Sequence, residues 1–137
     1  MSGQSRKHRG YASQRIVAEY LRANGFAHAE PVGAGRPGSD ITGLVGLDVE
    51  VKARRDLDLP GLIRQMRSRQ ASDVLGLAVI RPDGAGPATV DWWPSVMPLA
   101  WQVALLRGAG FGDPSPMDGE LPWRGPGTRP PWMGDGT

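Results

Sequence analysis

Asp40, Glu50 and Lys52 have the types and spacing for chemistry on a phosphate ester, with nine residues between the two carboxylates and one between Glu50 and the lysine. Carboxylate oxygens are the hard ligands that Mg²⁺ prefers, and the ion keeps several of its waters. Asp40, Glu50 and one backbone carbonyl, that of Val51, therefore suffice as the protein's share of its coordination shell. An ion held in this way acidifies a water and offsets charge on a phosphate. The Lys52 ammonium beside it orients the attacking water or stabilises the pentavalent transition state. The chemistry predicted is phosphodiester hydrolysis without a covalent intermediate, with Mg²⁺ as cofactor and Mn²⁺ able to substitute. Spacing alone also describes an ordinary charged sheet face in solvent, so the surrounding elements decide between the two readings.

The segment Leu47-Asp-Val-Glu-Val-Lys-Ala53 alternates with period two, which is the signature of a strand. It sends Leu47, Val49, Val51 and Ala53 to one face and Asp48, Glu50, Lys52 and Arg54 to the other. Glu50 and Lys52 thus share a face, and a neighbouring strand beginning near Asp40 brings the second carboxylate beside them. Upstream, Tyr11 to Asn24 reads as a helix with Ser13, Ile16, Val17, Tyr20 and Leu21 on its buried stripe and Gly25 as its C-cap. Phe26 to Val32 predicts a short strand, and Gly33-Ala-Gly-Arg-Pro-Gly-Ser39 a loop. Downstream, Asp58 is placed to cap a helix from Pro60 to Ala71, with Leu59, Leu62, Ile63 and Met66 buried and Arg64, Arg67 and Arg69 largely exposed. Val74 to Ile80 reads as a buried strand, Pro82-Asp-Gly-Ala-Gly-Pro87 as a turn and Thr89 to Trp93 as the pairing strand of a hairpin. Ser95 is placed to cap an apolar helix that carries Pro98 in its first turn and ends at Gly108.

From Phe111 the chain is dense in glycine and proline without periodicity, which predicts a disordered tail in which Trp123 and Trp132 anchor at most a short segment. The expected organisation is one domain over residues 1–110 and a tail over 111–137. With no cysteine, thiolate metal sites, cysteine nucleophiles and a disulfide framework are excluded, which fits the cytoplasm. No apolar run approaches a membrane span and the polar start lacks the apolar stretch of a signal peptide, so a protein with no membrane partner is expected. Net charge is only +2, yet residues 1–82 carry 13 basic against 8 acidic groups and residues 83–137 carry 3 against 6. The basic half is the part expected to face a polyanion.

Gly38-Ser-Asp-Ile-Thr42 followed by Asp48-Val-Glu-Val-Lys52, after a helix ending in Asn24-Gly-Phe26 and before a basic helix, resembles the PD-(D/E)XK nuclease superfamily. Within it, the likeness is to Holliday-junction resolvases of the archaeal type and their phage relatives. It spans about Lys7 to Pro94, including Arg9-Gly10 and Val90-Asp-Trp-Trp-Pro94, and leaves the tail unmatched. The resemblance implies an α/β fold with a restriction-endonuclease-like core, a central mixed sheet flanked by helices. It also implies a homodimer that cuts four-way DNA junctions, with Asp40 and Glu50 as metal ligands and Lys52 as catalytic lysine. A restriction, repair or transposition nuclease and a non-catalytic DNA-binding module that kept the fold are the alternatives. Ser39 stands where the motif's proline would be. These resolvases also carry a glutamate early in the first helix, and counting from Gly10 or Gly25 places Gln14 there, where it is expected to act as an accessory catalytic residue whose amide holds a metal-bound water or the scissile phosphate. Glu19, five residues on, lies about 140° round a helix from Gln14 and reads as solvated surface.

Further DNA contacts are expected from Arg6, Lys7, Arg9 and Arg15 at the N-terminal end, from Arg36 and Ser39 in the glycine-rich loop, and from Arg54, Arg55, Arg64 and Arg67 around the triplet. That loop lacks the Lys-Ser/Thr ending and following helix of a phosphate loop, so no nucleotide cofactor is expected. His8 and His28 are too few and too far apart for a histidine-based site. Trp92, Trp93 and Trp101 read as packing residues before base-stacking ones.

Overall fold

The computed structural model describes residues 3–33, 39–69 and 74–113, with side chains from Arg9 onward. In chain order these residues form α1 (Gly3–Ala23), β1 (Glu30–Pro31), β2 (Ile41–Thr42), β3 (Leu47–Ala53), α2 (Leu59–Arg69), β4 (Leu75–Arg81), β5 (Ser95–Val96) and α3 (Leu99–Gly108), with 3₁₀ turns at Arg54–Asp56 and Pro87–Trp92. The chain is therefore α/β, and its five strands form one mixed sheet in the order β1-β2-β3-β4-β5. Only β3 and β4 are parallel, in a register that sets Glu50 beside Ala78 and Lys52 beside Ile80. The described residues fall into two compact units divided between Val96 and Met97.

A parallel pair needs a crossover and cover on both faces. Here α1 covers one face, where Val17 and Ala18 pack with Ile41, Val49 and Trp93. On the other, Leu62 of α2 packs with Ala78 and Ile80, joined by Met66 and Val96. Adjacent residues of β3 are consequently both buried, Val49 toward α1 and Glu50 toward the α2 side. Burial of Glu50 separates this strand from an ordinary solvated charged face.

Several elements differ from the sequence expectation. The first helix begins near Gly3, so Arg6, Lys7 and Arg9 lie on helical backbone and not on an arm. Tyr20 is exposed, while Gln14 and Ala18 join the buried stripe. The strand expected over Phe26 to Val32 shrinks to Glu30–Pro31, because Ala29 N–H closes a turn onto Phe26 O. In α2, Leu59 and Ile63 are about half exposed, leaving Leu62 and Met66 to face the sheet. Thr89 to Trp93 is no strand: Pro87 starts a 3₁₀ turn closed by Trp93 N–H on Val90 O, and the partner of β4 is the later Ser95–Val96. Ser95 thus lies in a strand and caps nothing. The second unit contains α3, preceded by Pro98 and ended by Phe111 N–H bonding Leu106 O across Gly110, whose φ is +101°. The expected tail beyond residue 113, with Trp123 and Trp132, lies outside the described residues. No described helix is long and apolar enough to cross a membrane.

Candidate active site

Asp40 is positioned by backbone on both sides. Its N–H donates to Val49 O at 3.0 Å and its carbonyl accepts from Val32 N–H at 3.0 Å, so the residue is held at the junction where loop becomes β2. Ser39 fixes the approach: its Oγ shares its proton between the carbonyls of Ile41 (2.9 Å) and Val49 (3.1 Å) and accepts from Val49 N–H at 3.0 Å. The Ser39 hydroxyl is thus committed to strand backbone, where a substrate contact was expected. The Asp40 side chain then reaches β3, its Oδ2 accepting from Val51 N–H at 2.8 Å. Val51 lies between Glu50 and Lys52, so this single bond brings the carboxylate alongside the Glu-x-Lys pair. Burial pushes the Asp40 pKa above its ordinary value. The Val51 hydrogen bond and the charges of Lys52 and Arg69 pull the other way, and Asp48 adds to the rise.

Glu50 is almost fully buried, with its side chain 7% exposed, and meets two cations. Lys52 Nζ lies 3.9 Å from Oε2, and the Arg69 guanidinium bonds Oε1. The same guanidinium is 3.5 Å from Asp48 Oδ1, a buried oxygen that accepts no hydrogen bond. Arg69 is the residue the sequence reading missed. It lies seven residues after Leu62 and three after Met66, so helical spacing carries it on the stripe that faces the sheet. Anchoring the stripe on Leu59 and Ile63 had turned it outward.

If a divalent ion binds here, Asp40 and Glu50 are the carboxylates that would hold it. Two features suit one: a carboxyl that burial makes reluctant to ionise, and an acidic group already drawing a cation in Arg69. Among the described residues, no group of three or more His, Cys, Asp or Glu has a metal-holding arrangement, so the set rests on two carboxylates and not on a larger cluster. Arg69 must leave Glu50 for an ion to take both.

Gln14 is buried, and its Oε1 accepts from Gly33 N–H at 3.1 Å. Gly33 adjoins Val32, whose N–H holds the Asp40 carbonyl, so Gln14 supports the junction that carries Asp40. Glu19 is exposed. Of the expected DNA contacts, Arg9, Arg15, Arg55, Arg64 and Arg67 are exposed, and Arg54 pairs with Asp83 at 3.7 Å. Arg6 and Lys7 lie in α1 with their side chains outside the described set, and Arg36 lies outside the described residues. Trp93 is core, under the Arg81 guanidinium at 5.5 Å, whereas Trp92 is 69% exposed.

Comparison of this chain with known protein families, with curated proteins and with solved structures finds no match.

Proposed function

We propose that this chain is a divalent-metal-dependent endodeoxyribonuclease of the PD-(D/E)XK type, with a restriction-endonuclease-like core, acting as a homodimer on branched DNA such as a four-way junction. The observation that carries the reading is the Val51 N–H to Asp40 Oδ2 bond, which holds a carboxylate from the start of β2 against the β3 backbone between Glu50 and Lys52. When bound, Mg²⁺ or Mn²⁺ supplies an acidified water and neutralises phosphate charge. The protein's own share follows from its geometry. Asp40 is fixed by the Val51 amide, Glu50 is buried and thereby held in one orientation, and Lys52, about one-third exposed, reaches solvent where a phosphate oxygen arrives. Its ammonium hydrogen-bonds the oxygen on which charge grows. Arg69, released from Glu50, becomes a second cation on that side.

The test is to incubate the purified protein with labelled four-way junction, linear duplex and single strand, with Mg²⁺ and with chelator. Paired symmetric nicks on the junction that vanish with chelator are expected. Cleavage of plain duplex would point to a restriction- or repair-type enzyme, and no cleavage of any DNA would overturn the proposal. One observation favours a second reading, a DNA-binding module without catalysis: Arg69 already neutralises Glu50. Junction binding without cutting, unchanged in Lys52→Ala, would select it.

A further inference from the structure

A cleft of about 440 Å³ opens where the C-terminal ends of the parallel strands β3 and β4 meet α1. Its walls include Arg9 and Gly10 of α1, Lys52 and Arg55 at the end of β3, and Gly84 and Ala85 after β4. The volume lies within the roughly 300–1,000 Å³ of small-molecule sites, more than a lone phosphate fills.

The cleft is braced by Arg81. Its Nε donates to Ala85 O at 2.8 Å and its Nη1 to Ser13 Oγ at 2.9 Å, while Ser13 Oγ donates to Arg9 O at 2.9 Å. One half-buried guanidinium therefore ties α1, β4 and the following loop together, and is spent on protein. Arg9 and Arg55 differ: both are exposed, and neither has a carboxylate within 4.0 Å among the described residues. Asp56 and Asp83 on the rim offset part of the positive charge, and Asp83 is shared with Arg54. The modest excess suits the single charge of a phosphodiester better than a polyphosphate.

Gly10 supplies the third observation. A helix interior is where glycine costs most, its φ is not positive, and a Cβ there would meet nothing within 4 Å. Gly10 is exposed on the wall of the cleft, so a side chain placed there would project into open space and occupy part of it. We propose that the cleft is a nucleotide subsite, taking one unstacked nucleotide of a DNA strand with its phosphodiester on Arg9 and Arg55 and its base against the wall at Gly10 and Ala85. The identity of the polymer rests on the nuclease reading. Lys52 faces both the cleft and Glu50, which sets the bound nucleotide next to the reacting phosphate. Because a nucleotide inside a duplex must be unstacked first, branch points and frayed ends become the cheaper substrates.

The experiment is a titration of ¹⁵N-labelled full-length protein, without metal, with the dinucleoside monophosphate d(TpT), followed by amide chemical shifts. Shifts at Gly10, Gly84 and Ala85 are expected. Gly10→Leu fills the space and removes a helix glycine, so it keeps or raises Tm while weakening d(TpT) about tenfold or more. Arg9→Gln/Arg55→Gln, two exposed positions whose change leaves packing intact, weakens it comparably and decides the matter if the leucine variant fails to fold. Absent shifts, shifts confined to other residues, or wild-type affinity in folded variants would overturn the subsite. Since no metal or cleavage is involved, d(TpT) binding in a protein that cuts no DNA would sink the nuclease reading and leave the subsite standing. Normal junction cleavage with no d(TpT) binding would do the reverse.

Discussion

Asp40 is drawn toward the protein interior by Val51 and Val49, and leaving water raises its pKa. A carboxyl whose folded pKa exceeds its unfolded one binds its proton more tightly when folded. Its contribution to stability is whole below the ordinary carboxylate pKa and declines as pH rises through the raised value. Asp40→Asn, whose amide oxygen still accepts from Val51, should therefore raise Tm at pH 7, leave it nearly unchanged at pH 3, and abolish cleavage. A lower Tm at pH 7, read by circular dichroism, would count against this account. Arg69→Gln acts in the opposite sense, because it strips a cation from a Glu50 side chain only 7% exposed. Breaking a fully buried pair costs about 3–5 kcal/mol, and with Arg69 29% exposed and Lys52 remaining, about 2 kcal/mol is expected. Mg²⁺ should recover more of that loss than it adds to the wild type, and thermal melts with and without the ion would show it. Lys52→Ala should lower the cleavage rate about 10²–10³-fold, the cost of losing one transition-state donor, with junction affinity kept.

The elements show what was legible in the sequence. β3 was readable to its ends because seven alternating residues lie between glycine and a charged turn, and its own period fixes which residues share a face. The placement of Asp40 was readable only as a loop-to-strand junction. Its bond to Val51 depends on how β2 registers against β3, a property of two segments together that neither pattern contains. Thr89 to Trp93 misled because valine and tryptophan favour strands, while Pro87 behind them favours a turn, and the turn lets Trp93 reach the core under Arg81. Gly43 in the β2–β3 connection is where this scale can be tested. It holds φ +78°, and a Cβ there would run into the backbone carbonyl of His28. Gly43→Ala should cost about 2 kcal/mol or more, seen as a lower denaturant midpoint at unchanged slope. It should also reduce cleavage, since moving β2 moves Asp40. A fully stable variant would show that the turn does not set the register.

Across the whole molecule, net charge says less than which charges are already spent. Arg22 is paired with Glu30 at 3.3 Å, Arg54 with Asp83, and Arg69 with Glu50 and Asp48, while Arg81 is tied to Ser13 and Ala85. Arg9, Arg15, Arg55, Arg64 and Arg67 are left exposed with no acidic partner among the described residues, all in the half whose excess of basic groups suggested a polyanion. Each phosphate neutralised on duplex DNA releases condensed counterions worth about 0.9 in the slope of log K against log salt. If these five arginines carry the contact, the slope for junction binding should be about −4.5 in a chelator-containing buffer that blocks cleavage. Arg64→Gln/Arg67→Gln, on an exposed side of α2 away from Leu62, should make the slope shallower by about 2 without lowering Tm. A slope unchanged in that variant would mean α2 points away from the duplex, and the bound DNA would then have to run along α1 and the end of β3 alone.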